Sequence, residues 1–152
     1  MNFTLQKIEA NFEDFKKVAD LLIGFAAEHS MGSLSAGKYD PLRGATWIAK
    51  NIDCLALVAS VDGKVVGSIG LHETTPWYSD VPYLTDGWLY VLPEYRRSAI
   101  GVALIEEAKK FAQEKRLPLV LNIFNMEDTE LKIKLFQRKG FKLVGGTFIF
   151  GA

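Results

Sequence analysis

The amino-acid sequence predicts an α/β (α+β) fold in which a mixed central sheet of about seven strands is flanked by about four helices. Three observations lead there. Two β-branched-rich runs, Leu55 to Val61 and Val65 to Glu73, flank Asp62-Gly63, the dipeptide that most strongly signals a two-residue hairpin. A strand-like run from Tyr83 to Val91 passes through a short basic turn into a long amphipathic helix, Val102 to Glu114. A short apolar run, Leu119 to Phe124, follows after Pro118 and suits a buried strand. Strand–crossover–strand connections of this length are parallel and right-handed, so the strands flanking that helix form a parallel pair.

The remaining elements follow in order. The first strand is Phe3 to Ile8. A helix from Phe12 to Glu28 comes next, with Asn11 as its N-cap and Glu13 and Asp14 in the first turn, where carboxylates suit the helix dipole. Phe15, Val18, Leu22 and Phe25 fall on one face at helical spacing. His29 to Tyr39, rich in glycine and small polar residues, reads as an exposed loop. Asp40-Pro41 opens a short helix to Asn51, with proline in its first turn. The segment Thr74 to Pro82 is a loop before the strand at Tyr83. A last helix, Thr129 to Lys139, stops at Gly140, the expected residue just past a helix end. Phe141 to Val144 and Thr147 to Phe150 read as two closing strands around Gly145-Gly146. The order is β-α-α-β-β-β-α-β-α-β-β.

Composition bounds the function. A chain of 152 residues has the length of one domain, taken here as 1–152, and can bury about two thirds of its unfolded surface. Hydrophobic residues make up 49% and charged residues 24%, the balance of an ordinary globular protein. Lys plus Arg and Asp plus Glu number 18 each, which argues against a dedicated nucleic-acid binder. No apolar run reaches membrane-spanning length, and the N-terminus lacks a signal-peptide pattern. The single cysteine, Cys54, excludes an internal disulfide and points to a reducing compartment, the cytoplasm. It opens a strand beside apolar residues and reads as a small core residue. No Cys/His pairing suggests a metal.

The chemistry concentrates between Leu89 and Val102. The first N–H groups of a helix lack intrahelical partners, and the aligned peptide dipoles place partial positive charge there. Arg96 and Arg97 add formal charge, while the small residues Ser98, Ala99 and Gly101 let an anion approach the backbone. The turn therefore builds an anion site from Arg96, Arg97, Ser98, Ala99, Ile100, Gly101 and Val102. Its bland alternative is a solvated arginine pair after a turn.

This segment resembles the acyl-CoA-binding motif of the GNAT superfamily of N-acyltransferases, Arg/Gln-x-x-Gly-x-Gly/Ala after a strand ending Val-x-Pro. Here it reads Arg96-Arg97-Ser98-Ala99-Ile100-Gly101, with Ala99 in place of one glycine. Alanine preserves the site if its φ is negative, whereas a positive φ would strain it. A second segment, Leu131-x-Ile133-x-Leu135-Phe136-x-x-Lys139-Gly140-Phe141, is similar to the family's closing motif. The element order is also that of the family, so the resemblance spans essentially the whole chain.

The resemblance implies the rest of the site. The thioester arm of acyl-CoA would lie between two splayed parallel strands, Tyr83 to Val91 and Leu119 to Phe124. Main-chain groups of Leu89 and Val91 would pair with the pantetheine amides as an added strand does, and the same N–H groups would face the thioester oxygen. Asn125 becomes a candidate contact for the pantetheine arm, since the asparagine that often precedes the closing helix is replaced by Thr129. Phe136 stands where many members carry a tyrosine; it has no proton to give, so water would protonate the departing thiolate.

An amine acceptor needs a general base, because its protonated form cannot attack. Asp86 and Glu73 are the candidates carried forward, with His72 also considered. Alternation puts His72 and Glu73 on opposite faces. Asp86 shares parity with Trp88 and Tyr90 unless a bulge at Gly87 reverses it. For each of them a solvated edge charge or a capped turn is the competing reading. Trp47, Trp77, Tyr78 and Tyr83 fall on segments flanking the acceptor mouth in this family, where aromatic rings can hold a cation or an apolar body, or simply pack a loop.

The function expected from the resemblance is direct transfer of an acetyl group from acetyl-CoA to a small-molecule or peptide amine, without a metal. The alternative is a degenerate member that binds CoA or a protein partner without turnover, suggested by Ala99 and Phe136. A homodimer stands among the partners to be tested. Fold alone does not choose the acceptor.

Overall fold

A computed structural model describes residues 1–29, 38–51, 54–125 and 127–150. The backbone divides into two compact units, Met1–Phe25 with Asp40–Asn122, and Ala26–Tyr39 with Ile123–Ala152. Among the described residues the elements run β1 (Thr4–Lys7), α1 (Phe12–Glu28), α2 (Pro41–Lys50), β2 (Leu55–Val61), β3 (Lys64–Thr74), β4 (Tyr83–Val91), a 3-10 turn (Pro93–Tyr95), α3 (Ile100–Lys115), β5 (Leu119–Val120) and α4 (Thr129–Arg138). The expected loop at His29 to Tyr39 falls largely on residues outside those described. No helix among the described residues is long and apolar enough to cross a membrane.

The first unit carries a five-stranded sheet in the order β1-β2-β3-β4-β5. The pairs β1–β2, β2–β3 and β3–β4 are antiparallel, and β4–β5 is parallel. Local chemistry explains most boundaries. Asp62 and Gly63 both take positive φ, 49° and 79°, so Val61 pairs directly with Lys64 across a two-residue turn. Asn11 Oδ1 accepts the Asp14 N–H at 2.9 Å, and Asp14 Oδ2 accepts the Glu9 N–H at 2.9 Å, which together cap α1. Asp40 Oδ1 accepts from the N–H groups of Leu42 and Arg43, capping α2 ahead of Pro41.

Each face of the sheet buries its own set of side chains. On one, Leu57, Ile69, Leu71 and Val91 pack with Ile100, Leu104 and Ala108 of α3. On the other, Trp88 and Tyr90 are buried. The Phe25 ring of α1 meets Tyr90 edge-on at 6.1 Å, and Trp47 of α2 meets Trp88 edge-on at 6.0 Å. Ser68, fully buried, donates to Leu57 O at 2.7 Å and accepts the Trp88 indole N–H at 2.9 Å, which satisfies a polar pair inside an apolar layer.

Two expectations are corrected here. The sheet has five strands, not seven: residues 141–150 form no strand among the described residues. An alternating apolar pattern becomes a strand only when a neighbour completes its main-chain hydrogen bonds, and Val144, Phe148 and Phe150 instead stand exposed. β5 is also shorter than Leu119 to Phe124, ending at Val120. Its cause lies in the cleft described next. α4 ends as expected, with Gly140 at φ +89° and the Phe141 N–H donating to Phe136 O at 3.0 Å.

Candidate active site

The parallel pairing of β4 and β5 is brief. Leu84 pairs with Leu119 and Thr85 with Val120, and the Leu84 N–H donates to Pro118 O at 2.8 Å. In a continuing parallel ladder the Asn122 N–H would reach the main-chain carbonyl of Asp86. It donates to Asp86 Oδ1 instead, at 3.0 Å. The Asn122 side-chain Nδ2 donates to the same oxygen at 2.8 Å and to Thr85 Oγ1 at 3.2 Å. A carboxylate thus takes the place of a backbone acceptor, and the ladder stops.

Beyond that point no strand among the described residues pairs with this edge of β4. The Leu92 N–H donates to Val66 O at 2.9 Å, toward β3. Hydrogen-bonding direction alternates along a strand, so the main-chain groups of Leu89 and Val91 point to the opposite edge, where β5 has ended. Their side chains pack with the α3 layer. The Val91 carbonyl accepts from Arg96 Nε at 3.0 Å, and the Arg96 guanidinium lies over the Tyr90 ring, 5.4 Å from its centroid. Arg96 is therefore folded back on β4, although it and Arg97 are both exposed.

The turn into α3 is compact. Ser98 Oγ donates to Tyr95 O at 2.6 Å and accepts the Ile100 N–H at 3.3 Å. The first i to i−4 bond of the helix runs from the Ala103 N–H to Ala99 O at 2.9 Å. Gly101 and Val102 lie in the first turn, ahead of that bond, where N–H groups have no intrahelical acceptor and can meet an anion. Ile100 is fully buried and anchors the turn to the core. Ala99 has φ −74° and ψ −4°, the helical region, where a Cβ costs nothing. Ala99→Gly is therefore expected to change CoA affinity by less than about threefold, because glycine gains no conformational advantage at negative φ. Calorimetric titration checks this; a larger change in either direction would mean that the methyl group itself meets the ligand or the fold.

Asp86 owes its direction to a bulge. The register pairs Gly70 with Trp88 and Leu71 with Asp86, leaving Gly87 as the extra residue. Asp86 thereby shares a face with Leu89 and Val91 rather than with Trp88 and Tyr90. Glu73 pairs with Leu84 and so falls on the same face, diagonal to Asp86, while His72 pairs with Thr85 on the other face. Burial pushes the Asp86 carboxyl above the usual range, and hydrogen bonds from Asn122, its own main chain and Thr85 pull it partly back. Glu73 is exposed, and its N–H donates to Cys54 Sγ at 3.2 Å.

Gly87 is where the sheet admits Trp47. A Cβ at Gly87 would lie 2.6 Å from Cη2 of the Trp47 ring, so only glycine lets the indole settle on the bulge. Trp47 also meets His72 edge-on at 5.2 Å. Burial lowers the pKa of His72, and its Nδ1 is buried with no hydrogen-bond partner. Trp77 and Tyr78 are exposed on the β3–β4 loop and pack edge-on against each other at 5.5 Å. A separate groove of about 530 Å³, between the start of α1 and the β1–β2 edge, is lined by residues such as Gln6, Asp14, Lys17 and Val58 and contains none of the candidate residues.

The second unit holds Asn125 and Phe136. Asn125 Nδ2 donates to Glu28 Oε2 at 3.2 Å, and its Oδ1 accepts the Glu127 N–H at 2.8 Å. Phe136 is half-buried, its ring tilted 55° against Phe141 with centroids 5.5 Å apart. Asn122 is the site residue that sequence reasoning missed. It sits inside an apolar run assigned to strand, and only its bond to Asp86, far away in sequence, reveals it.

Comparison with known proteins gives this geometry a family. The acetyltransferase (GNAT) domain model matches residues 53–143. No curated protein matches the sequence significantly. Among solved structures, an acetyltransferase of Trypanosoma brucei superposes with a TM-score of 0.71 at 17% identity, covering 99% of this chain and 100% of that one. A ribosomal-protein-alanine N-acetyltransferase from Brucella melitensis biovar Abortus 2308 superposes at 0.69 with 21% identity, covering 98% of each chain. AAC(6')-Iy, solved with the bisubstrate analogue CoA-S-monomethyl-acetylneamine, superposes at 0.69 with 16% identity, covering 100% and 99%. A domain match over more than half the chain, on a sheet whose β4 and β5 part at Asp86 above a basic turn into α3, identifies the chain as a member of the GNAT acetyltransferase family.

Proposed function

We propose that residues 1–152 act as a single N-acetyltransferase domain that moves an acetyl group from acetyl-CoA to an amine by direct transfer. The observation that carries this reading is the open β4 edge at Leu89 and Val91, which begins where Asn122 bonds Asp86 and leads toward the α3 N-terminus. The negative φ of Ala99 supports it, since the departure from the family glycine leaves the anion-binding turn unstrained.

Each group has a task. Leu89 and Val91 offer main-chain donors and acceptors to the pantetheine amides. The N–H groups of Gly101 and Val102, with Arg97, offer a positive site to the pyrophosphate, and Arg96 braces the turn through Val91 O. In the reaction the amine nitrogen forms the C–N bond, the C–S bond breaks with its electron pair on sulfur, Asp86 takes the amine proton and water protonates the thiolate. Asp86 suits that role because burial makes it a stronger base than an exposed carboxylate. Asn125 and Phe136 are assigned to the pantetheine arm, with Phe136 packing rather than donating a proton. The acceptor is a small-molecule or peptide amine, and the cytoplasm, where Cys54 stays reduced, is the proposed site of action.

Thiol release from acetyl-CoA across a panel of amines tests the reaction. Stoichiometric CoA binding without release would favour the degenerate reading that Phe136 suggests. The phosphate placement has its own test. Arg97→Glu is expected to weaken CoA by about tenfold or more while leaving pantetheine, which lacks the pyrophosphate, within about twofold. Equal losses for both ligands would show that the phosphates do not sit at this turn.

A further inference from the structure

We propose that Asn122 is the positioning residue of the Asp86 base, holding one carboxylate oxygen at the apex of the β4–β5 opening and presenting the other to the acceptor amine. This rests on the reading of Asp86 given above. Asn122 supplies two donors to a single oxygen, its main-chain N–H at 3.0 Å and Nδ2 at 2.8 Å. Nδ2 also reaches Thr85 Oγ1 at 3.2 Å, so the amide ties adjacent residues of β4 to the chain just after β5. Two bonds to one oxygen restrict the rotation of the carboxylate, which a freely turning aspartate would lack.

The same contact tunes the base. Burial favours the protonated carboxyl and the Asn122 bonds favour the ionised one, so the group is more basic than an exposed aspartate but less so than burial alone would make it. No charged neighbour among the described residues contributes to that balance. Glu73 is the titratable group on the same face, from β3, and it is exposed; His72, also from β3, falls on the opposite face; Asn122 itself and Thr85 are neutral. The contact is also what ends the β4–β5 ladder, so one residue both opens the cleft and orients the group beside it.

Asn122→Leu removes the side-chain donors while keeping the branching and the number of heavy atoms, and Asn122→Ser keeps one donor in a smaller side chain should the bulkier leucine variant fail to fold. The Asp86 carboxyl is titrated by carbon NMR in the full chain, its resonance assigned by its disappearance in Asp86→Asn. The expected result is an upward move of the Asp86 midpoint in Asn122→Leu. The acid limb of kcat/KM should move with it, giving about a tenfold loss at acidic pH and a smaller one on the alkaline plateau. Acetyl-CoA Kd should stay within about twofold, and Asn122→Ser should fall between the parent and Asn122→Leu. An unmoved carboxyl midpoint overturns the proposal. A moved midpoint with an unmoved acid limb overturns Asp86 as the base, and the catalytic role of Asn122 with it, while leaving the contact itself in place.

Discussion

Asp86→Asn is expected to lower kcat/KM by about 10²–10⁴-fold, the range in which a positioned general base contributes. The substitution is unusually clean, because an amide oxygen can accept the Asn122 N–H and Nδ2 bonds that Oδ1 accepts now. Loss of rate would then report the missing base rather than a collapsed cleft. Stability should move the other way. Burial raises the Asp86 carboxyl above its ordinary value of 3.8, so the folded state holds that proton more tightly than the unfolded state does. Its contribution is fully present below the ordinary value and is lost as pH rises through the raised one. Asp86→Asn removes that loss, so its melting temperature should equal or exceed that of the parent at neutral pH and converge with it, or fall below it, in acid. Full activity in the variant would remove Asp86 from the reaction. A parent that instead gains on the variant as pH rises would show the carboxyl to be stabilised by its surroundings, not penalised by burial.

The largest expected loss of stability comes from Gly70→Ala. Gly70 faces Trp88 across the β3–β4 pair, and an added Cβ would fall on Cη2, Cζ2 and Cζ3 of the indole. The ring has little room to yield. It is 4% exposed, its N–H is held by Ser68 Oγ at 2.9 Å, and Trp47 packs edge-on against it. Moving it would forfeit the buried hydrogen bond, and keeping it would push the strands apart. Overpacking of this kind costs about 1–3 kcal/mol and sometimes more. Each kcal/mol should appear as roughly 2–4 °C of melting temperature in a domain of this size. Gly145→Ala, where nothing lies within 4 Å of the new methyl, is the control and should be nearly neutral. Equal melting of the two variants would mean that Trp88 repacks freely.

Much of the fold was legible because its signals are local. Asn11, Asp40-Pro41 and Gly140 mark helix ends through hydrogen bonds made within a few residues. Asp62-Gly63 specifies its turn because both residues tolerate positive φ. The turn from Arg96 to Val102 reads as a candidate anion site from residue type alone, because arginines and small residues stand just before a helix start.

What the sequence determined by itself was therefore the family and the order of the elements from β1 to α4. What only the tertiary structure decided was everything that depends on a partner distant in sequence. Parity leaves the direction of Asp86 open, with Trp88 and Tyr90 unless Gly87 bulges, and the structure has that bulge, which turns Asp86 to the face of Leu89 and Val91. That bulge carries no side chain, so that Trp47, forty residues earlier, can settle on it. The apolar run after Pro118 promised a longer strand, yet the Asp86 carboxylate captured the Asn122 N–H and ended the pairing. At the C-terminus the pattern promised two more strands, but a strand is made by its neighbour. Pattern and propensity act within a few residues, whereas register, bulges and carboxylate contacts are settled only when separate segments compete for the same hydrogen bonds.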